Sequence, residues 1–480
     1  MKNKKQIFES DHILKAILQL ALPSVMGQII LVIYNLADTL FVGMSRSDEM
    51  ITAITVCMPA FMFLSAISNL FGVGAASVIA RALGCNETGK AKRASSFAFW
   101  GCALVTLLYC AGAMILCDGF VDLLGGTNRT VHVYAVEYMR IAIVAGGLCT
   151  ALNTLFSHLI RAYGFSAQAS IGVGVGGILN IVLDPVFMFV LLPSGNEIMG
   201  AALATAISNF CTMVYYAVFI RRSRGRMPFS LEPSKAMLQN GIPGEVLKVG
   251  SAAFLMTLLE NVSYAILDKL IGYTGTAAQA GIGVAKKVNM LAHCFVRGMS
   301  QGVLPLIAYN YASGNKERMK KAVCVSASIS VGIAVLCTAV SFLLSRPLIS
   351  LFIHVEGDSL HYGIVFLRIL CLGAPFSAFA YAAISFFQAT GHGGRSTILA
   401  MLRKGILDIS LMFALRSVIP PYGIVSATPV TDIICCAAAV CMFVRFIRRY
   451  EQNTTEPPPM ILNQDSPVSE AEDLSVTNMI

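Results

Sequence analysis

Twelve long apolar runs govern what this chain can fold into. They fall near 14–43, 51–80, 94–117, 133–157, 166–192 and 199–220, then near 246–272, 278–309, 321–344, 361–389, 396–418 and 423–446. Each reaches the roughly 20 residues a helix needs to cross the hydrocarbon core of a bilayer. Only 13% of the 480 residues are charged and 56% are hydrophobic, whereas a soluble domain carries about 25% charged residues. The pattern predicts an all-α polytopic membrane protein. Twelve spans, an even number, place both termini on the same side.

The basic residues say which side. With the N-terminus in the cytoplasm, inner segments hold 21 Lys and Arg, among them Lys2, Lys4, Lys5, Arg81, Lys90, Lys92, Arg93, Arg221, Arg222, Arg224 and Arg226. Outer segments hold three, Arg46, Arg129 and Arg346. By the positive-inside rule both termini are cytoplasmic. The net charge of +9 belongs to these helix ends and does not signal nucleic-acid binding. The 14 cysteines show no metal-like spacing and lie mostly within apolar runs, where they act as small apolar residues. No cleavable signal peptide is expected, since the first apolar run is too long and lacks a cleavage site.

Residues 1–13 read as a cytoplasmic N-terminus, 14–220 as a six-helix lobe, 221–245 as a cytoplasmic linker with Pro228, Pro233 and Pro243, and 246–447 as a second six-helix lobe. Residues 448–480 read as a disordered cytoplasmic tail, acidic and proline-bearing from Glu451 onward. The lobes repeat each other. LKVGSAAFLMTLLENVSYAILDKLIG (247–272) lies over LQLALPSVMGQIILVIYNLADTLFVG (18–43) without a gap, at an offset of 272 − 43 = 229. RAYGFSAQAS (161–170) matches QATGHGGRST (388–397), and GGILNIVLD (176–184) matches KGILDISLM (404–412). Six spans per half give parallel repeats about an axis along the membrane normal, with a site between them near the midplane.

The stretches ALPSVMGQIILVIYNLADTLFVG, GGILNIVLDPVFMFVLLP, GAALATAIS and LPLIAYNYASGNKERMKKA resemble the multidrug and toxic compound extrusion (MATE) transporters, prokaryotic drug-exporter branch. The resemblance covers roughly residues 12–447. It implies two six-helix bundles in a V and alternating access. It also implies export of organic, mostly cationic and lipophilic small molecules in exchange for inward H⁺ or Na⁺. It further implies a bacterial cytoplasmic (inner) membrane location. No cofactor is expected. The expected partners are the lipid bilayer and drug-like substrates, with no nucleic acid, and the chain is expected to act as a monomer.

Asp38 stands inside the first run, roughly 8 Å from its outer end at about 1.5 Å per residue. An ionisable group at that depth is a functional-site hypothesis by default. Asp184 lies roughly 12 Å deep in span 5, with Asn180 one turn away on the same face, and Thr205 roughly 8 Å deep in span 6. The four can share one layer. Two carboxylates in a poorly hydrated site do not both stay charged cheaply, so a proton or a cation must join them. Carboxylate, amide and hydroxyl oxygens also suit a hard ion such as Na⁺. The competing reading is a hydrogen-bonded helix clamp that titrates nothing. By resemblance, Asp38, Asn180, Asp184 and Thr205 fall on cation-coupling positions, and Tyr34 joins the same network. Pro185 disfavours helical geometry at Asp184 and is a hinge or a kink.

In the second lobe Glu260 lies mid-span and resembles an acidic position linked to coupling in some family members. Lys286, His293 and Arg297 form a stripe at i, i+7 and i+11, with which Glu260 can pair. That set reads as a substrate site, a second coupling site or a structural ion pair. Arg403 and Asp408 are equally open. Asp38 aligns with Leu267, so the second lobe is not expected to duplicate the first site. Gly172, Gly174, Gly176 and Gly177 lack a P-loop context and predict close helix packing instead. A flippase for a lipid-linked saccharide is the alternative, resting on Arg140, Arg297, Arg368 and Arg403. An enzyme is not expected, since no paired catalytic motif, metal-ligand cluster or nucleotide loop is visible.

Overall fold

The computed structural model describes residues 7–10, 12–44, 47–123, 128–193, 195–223, 225–239, 241–353 and 357–452. Lys2, Lys4, Lys5, Arg46, Arg224 and the tail from 453 onward lie outside the described residues. The described residues form twelve long helices: α1 (Ile13–Met44), α2 (Asp48–Gly84), α3 (Thr88–Ile115), α4 (Arg129–Ala145 and Gly147–Ala162), α5 (Ser166–Leu191) and α6 (Glu197–Arg222). The second set is α7 (Ile242–Gly272), α8 (Thr276–Ala312), α9 (Lys316–Leu343), α10 (Asp358–Cys371 and Ala374–Ala389), α11 (Gly393–Ala400 through Leu407–Arg416) and α12 (Tyr422–Gln452). Between them α6 reaches Arg222 and α7 begins at Ile242, because Pro243 fits the first turn of a helix, where its missing N–H costs nothing.

Eight helices are individually long and apolar enough to span a membrane, and α4 and α10 qualify as bent pairs, at 49° and 44°. The other two, α8 and α11, have the length but carry buried or half-buried charge, including Arg297 in α8 and Arg403, Lys404 and Asp408 in α11. The bends have local causes. In α4 a wide π turn (Arg140–Ala145) precedes Gly146 and Gly147, and α10 breaks at Leu372–Gly373 ahead of Pro375. Two further π turns occur among the described residues, Val186–Leu191 just after Pro185 and Met401–Ile406 in α11.

The lobes join through the pairs the repeat requires. α1 packs on α8, and α2 packs on α7. Shifting each member by half the helix count exchanges the two contacts. Small residues let the backbones approach. A Cβ on Gly302 would sit 2.5 Å from Ala21 Cα, and one on Gly298 would sit 2.5 Å from Val25 Cα. On the other seam, a Cβ on Gly250 would run into the Leu70 carbonyl, and one on Gly74 into that of Val246.

All these contacts lie in the half of the molecule nearest the two ends of the chain. There a single apolar core runs through both lobes, from Phe8 on one side to Phe446 on the other. Phe8 stacks on Tyr309 at 5.0 Å, and Glu245 of α7 binds Arg81 of α2 and Lys90 of α3 at 3.0 and 2.7 Å. Toward the opposite, distal side each lobe has its own separate core, one around Ala53, Met139 and Ile198, the other around Leu267, Phe366 and Ile424. The lobes are therefore closed at the terminal side and part into a cleft distally. Its floor is polar. Gln28 Nε2 donates to Gln301 Oε1 at 3.3 Å, Arg161 Nη1 donates to the same oxygen at 3.4 Å, and Asn69 Nδ2 donates to Thr257 Oγ1 at 2.9 Å.

Candidate functional sites in the two lobes

The first site is set up by the glycine stripe of α5. Gly174 and Gly177 lie against Ile30 of α1, and Gly172 and Gly176 lie against Tyr216 and Thr212 of α6. With no side chains in the way, α5 approaches both neighbours closely. One to two turns further on, the same helix carries Asn180 and Asp184, both buried. Asp38, Asp184 and Thr205 lie roughly 9–12 Å below the distal ends of their helices at about 1.5 Å per residue.

Asn180 Nδ2 donates to Asp184 Oδ1 at 3.2 Å and approaches Thr205 Oγ1 at 3.5 Å. Asp38 and Asp184 are close enough for their charges to interact, and Tyr34 feels both. Thus Asp38, Asn180, Asp184, Thr205 and Tyr34 do gather in one place. Neither carboxylate has a cationic partner among the described residues. Asp184 Oδ2 and Asn180 Oδ1 are buried acceptors with no donor. A buried acceptor without a donor is costly, and two beside a second carboxylate favour a proton or a hard cation. Tyr138 of α4, which the sequence did not single out, also interacts with Asp38, Asp184 and Tyr34. Only the fold could place it there. Pro185 ends the regular part of α5 and is followed by the π turn.

The second lobe holds charge differently. Glu260 pairs with Arg297, as the stripe allowed. His293 lies beside Glu260, Arg297, Arg403 and Lys404. Lys286 belongs elsewhere, paired with Asp268, so the stripe does not act as one unit. Arg403 Nε donates to Asp432 Oδ1 at 2.8 Å, and Lys404 Nζ to Asp408 Oδ2 at 2.9 Å, all four groups being buried. Ser263 also donates to Asp408 Oδ2 at 2.6 Å, and Thr428 to Oδ1 at 3.1 Å. Asp432 and Tyr381 were missed because each lies in a different helix from Arg403, and Lys404 was missed although it adjoins Arg403 and lies one turn from Asp408.

Comparison with known proteins accords with this architecture. A sequence model of the family described as MatE matches residues 23–186 and 252–414, one segment in each lobe. The chain belongs to the MatE family and is a prokaryotic-type MATE transporter. The multidrug export protein MepA of Staphylococcus aureus (strain MRSA252) is 28% identical over 453 residues, covering 94% of this chain and 97% of that protein. MepA of Staphylococcus haemolyticus (strain JCSC1435) is 29% identical over 446 residues, covering 92% and 95%. A crystal structure of MATE in complex with MaL6 superposes with a TM-score of 0.86 at 23% identity, covering 94% of this chain and all of that one. The outward-facing conformation of a multidrug resistance MATE family transporter of the MOP superfamily gives 0.83, also at 23% identity, covering 94% and 99%.

Proposed function

We propose that this protein is a secondary active multidrug efflux antiporter of the cytoplasmic membrane, with both termini inside. It exports lipophilic, mostly cationic compounds in exchange for H⁺ or Na⁺ moving inward. The observation that carries this reading is the pair of half-buried Asp38 and buried Asp184, within reach of each other, without a basic partner among the described residues and with orphaned acceptor oxygens beside them. In that orientation the cleft faces outward. A proton or Na⁺ entering it joins the carboxylates and removes their field, and a cationic drug held in the cleft loses its counter-charge. Binding of the ion and of the drug is thus mutually unfavourable, which is the differential affinity that exchange requires. Return to the inward-open state breaks the floor contacts of Gln28, Gln301, Arg161, Asn69 and Thr257 and the Glu245 ion pairs.

The flippase alternative has less support. Arg368 is held by Ser345 and the Phe342 ring, and Arg297 and Arg403 each already carry one carboxylate, Glu260 and Asp432. The deciding experiment is efflux of a fluorescent lipophilic cation from proteoliposomes under a pH gradient alone, then a Na⁺ gradient alone. Transport driven by one gradient names the ion. No transport under either, from folded protein, overturns the reading.

A further inference from the structure

The unpartnered polar atoms at the two sites are of opposite kinds. In the first lobe they are acceptors. In the second, two guanidinium groups with buried N–H donors converge on one aromatic ring. Arg403 Cζ lies 4.4 Å from the Tyr381 ring centroid and Arg297 Cζ 5.9 Å from it. Arg403 Nη1 and Arg297 Nε are each buried without a hydrogen-bond partner, and the Tyr381 hydroxyl lies beside Arg403. Both guanidinium groups already spend one N–H on a carboxylate, Glu260 or Asp432, and still have N–H groups aimed elsewhere. Arg403 and Tyr381 are at least nine-tenths buried. Leaving such donors unsatisfied is costly, and only a group rich in acceptors relieves several at once.

This cluster reaches the cleft. Arg297 lies one turn above Gln301, and Glu260 one turn above Thr257, the two residues through which the second lobe bonds to the first at the floor. The Arg297 side chain is 33% exposed, the most open of the cluster. Along the same face His293 and Asn289 follow at four-residue steps. Asn289 is buried with its Oδ1 unpartnered, and an amide turned over offers its N–H groups instead.

We propose that Arg297, Arg403 and Tyr381 form a receptor for the anionic group of a substrate, a carboxylate or sulfonate. The favoured cargo is then a zwitterion whose cationic end is held across the cleft by the field of Asp38 and Asp184. This rests on the transporter reading and narrows its substrate class. Planar oxyanions suit the site because a guanidinium presents its N–H groups in a fork of matching geometry. A purely cationic drug engages the first lobe only and meets Arg297 as a like charge.

The test uses the full-length protein in lipid nanodiscs and a rhodamine in two forms, the free acid (a zwitterion) and its ethyl ester (a cation), with binding read by fluorescence anisotropy. The wild type is expected to bind the acid at least 10-fold more tightly than the ester. Tyr381→Phe, which removes one hydroxyl, should lower that ratio several-fold. Arg297→Gln frees Glu260 and should invert it. In Glu260→Gln/Arg297→Gln, where the pair is removed without net charge, the ratio should fall to near one. A merely structural role would weaken both dyes together and leave the ratio in place, which would overturn the proposal. So would equal binding of acid and ester by the wild type. If the ester is bound and exported but the acid gains nothing, this proposal alone fails. If neither dye is bound or exported, the transporter reading fails with it.

Discussion

Set side by side, the two lobes show one scaffold with two charge solutions. At the repeat offsets Asn180 corresponds to Asp408, and Tyr34 to Ser263. GAALAT (200–205) over GIVSAT (423–428) brings Thr205 onto Thr428. In each lobe the polar residue of the fifth helix bonds to that threonine: Asn180 to Thr205 at 3.5 Å, Asp408 with Thr428 at 3.1 Å. What differs is the cation. Where the first lobe has Gly176, the second has Lys404, whose ammonium sits on Asp408. The second lobe carries a tethered cation. The first has no such cation among the described residues. A carboxylate sealed by its own lysine holds a helix pair together, whereas one without such a partner responds to its surroundings.

The comparison breaks most sharply at Asp38. Asp38→Asn should cut gradient-driven efflux by at least about 100-fold with the melting temperature in detergent unchanged, since no ion pair is lost; each tenfold corresponds to about 1.4 kcal/mol. Retained efflux would remove the functional half of the contrast. Next, Lys404→Met strands a buried Asp408 and should destabilise the protein by about 3–5 kcal/mol, seen as a large drop in melting temperature. Lys404→Met with Asp408→Leu should recover most of it. A single mutant as stable as the wild type would show that the tethered cation holds nothing. Tyr138→Phe removes a hydroxyl beside both first-lobe carboxylates. It should lower efflux about 10²-fold at most, with a displaced pH profile, which an efflux titration reads. Least of all, Lys286→Met breaks a pair with a half-exposed Asp268. It should change stability by no more than about 1 kcal/mol in the same melting assay.

The helices were legible because burial in lipid demands continuous apolar runs, and α8 and α11 were found although their charges weaken that signal. The close packing of Gly172, Gly174, Gly176 and Gly177 could be read too, since glycine at one-turn spacing has few other uses in a span. Asp38, Asn180, Asp184 and Thr205 were visible as polar residues at matching depths. Tyr138 was not, because a tyrosine in an apolar helix looks the same whichever way it points. The second-lobe counterpart was overlooked for a related reason. The repeat was compared at Asp38 and Leu267, where it differs, and the shared threonine contact becomes evident only once α11 and α12 are seen side by side. The pairing of Lys286 with Asp268 rather than Glu260 likewise depends on side-chain reach, which spacing alone does not set.

The π turn at Met401–Ile406 has an ancestry that can be counted. QATGHGGRST follows RAYGFSAQAS at 397 − 170 = 227, yet KGILDISLM follows GGILNIVLD at 412 − 184 = 228. The second lobe has therefore one residue more between these blocks, and the widened turn lies where it must be absorbed. A π turn is how a helix takes in a single extra residue without unwinding. It leaves Arg403 and Lys404, neighbours in sequence, both buried, one bonded to Asp432 and the other to Asp408. The ion pair it flanks rests on Lys404 and Asp408, which stand where the first lobe has Gly176 and Asn180, so the extra residue sets where the helix widens and the replaced residues set what it holds.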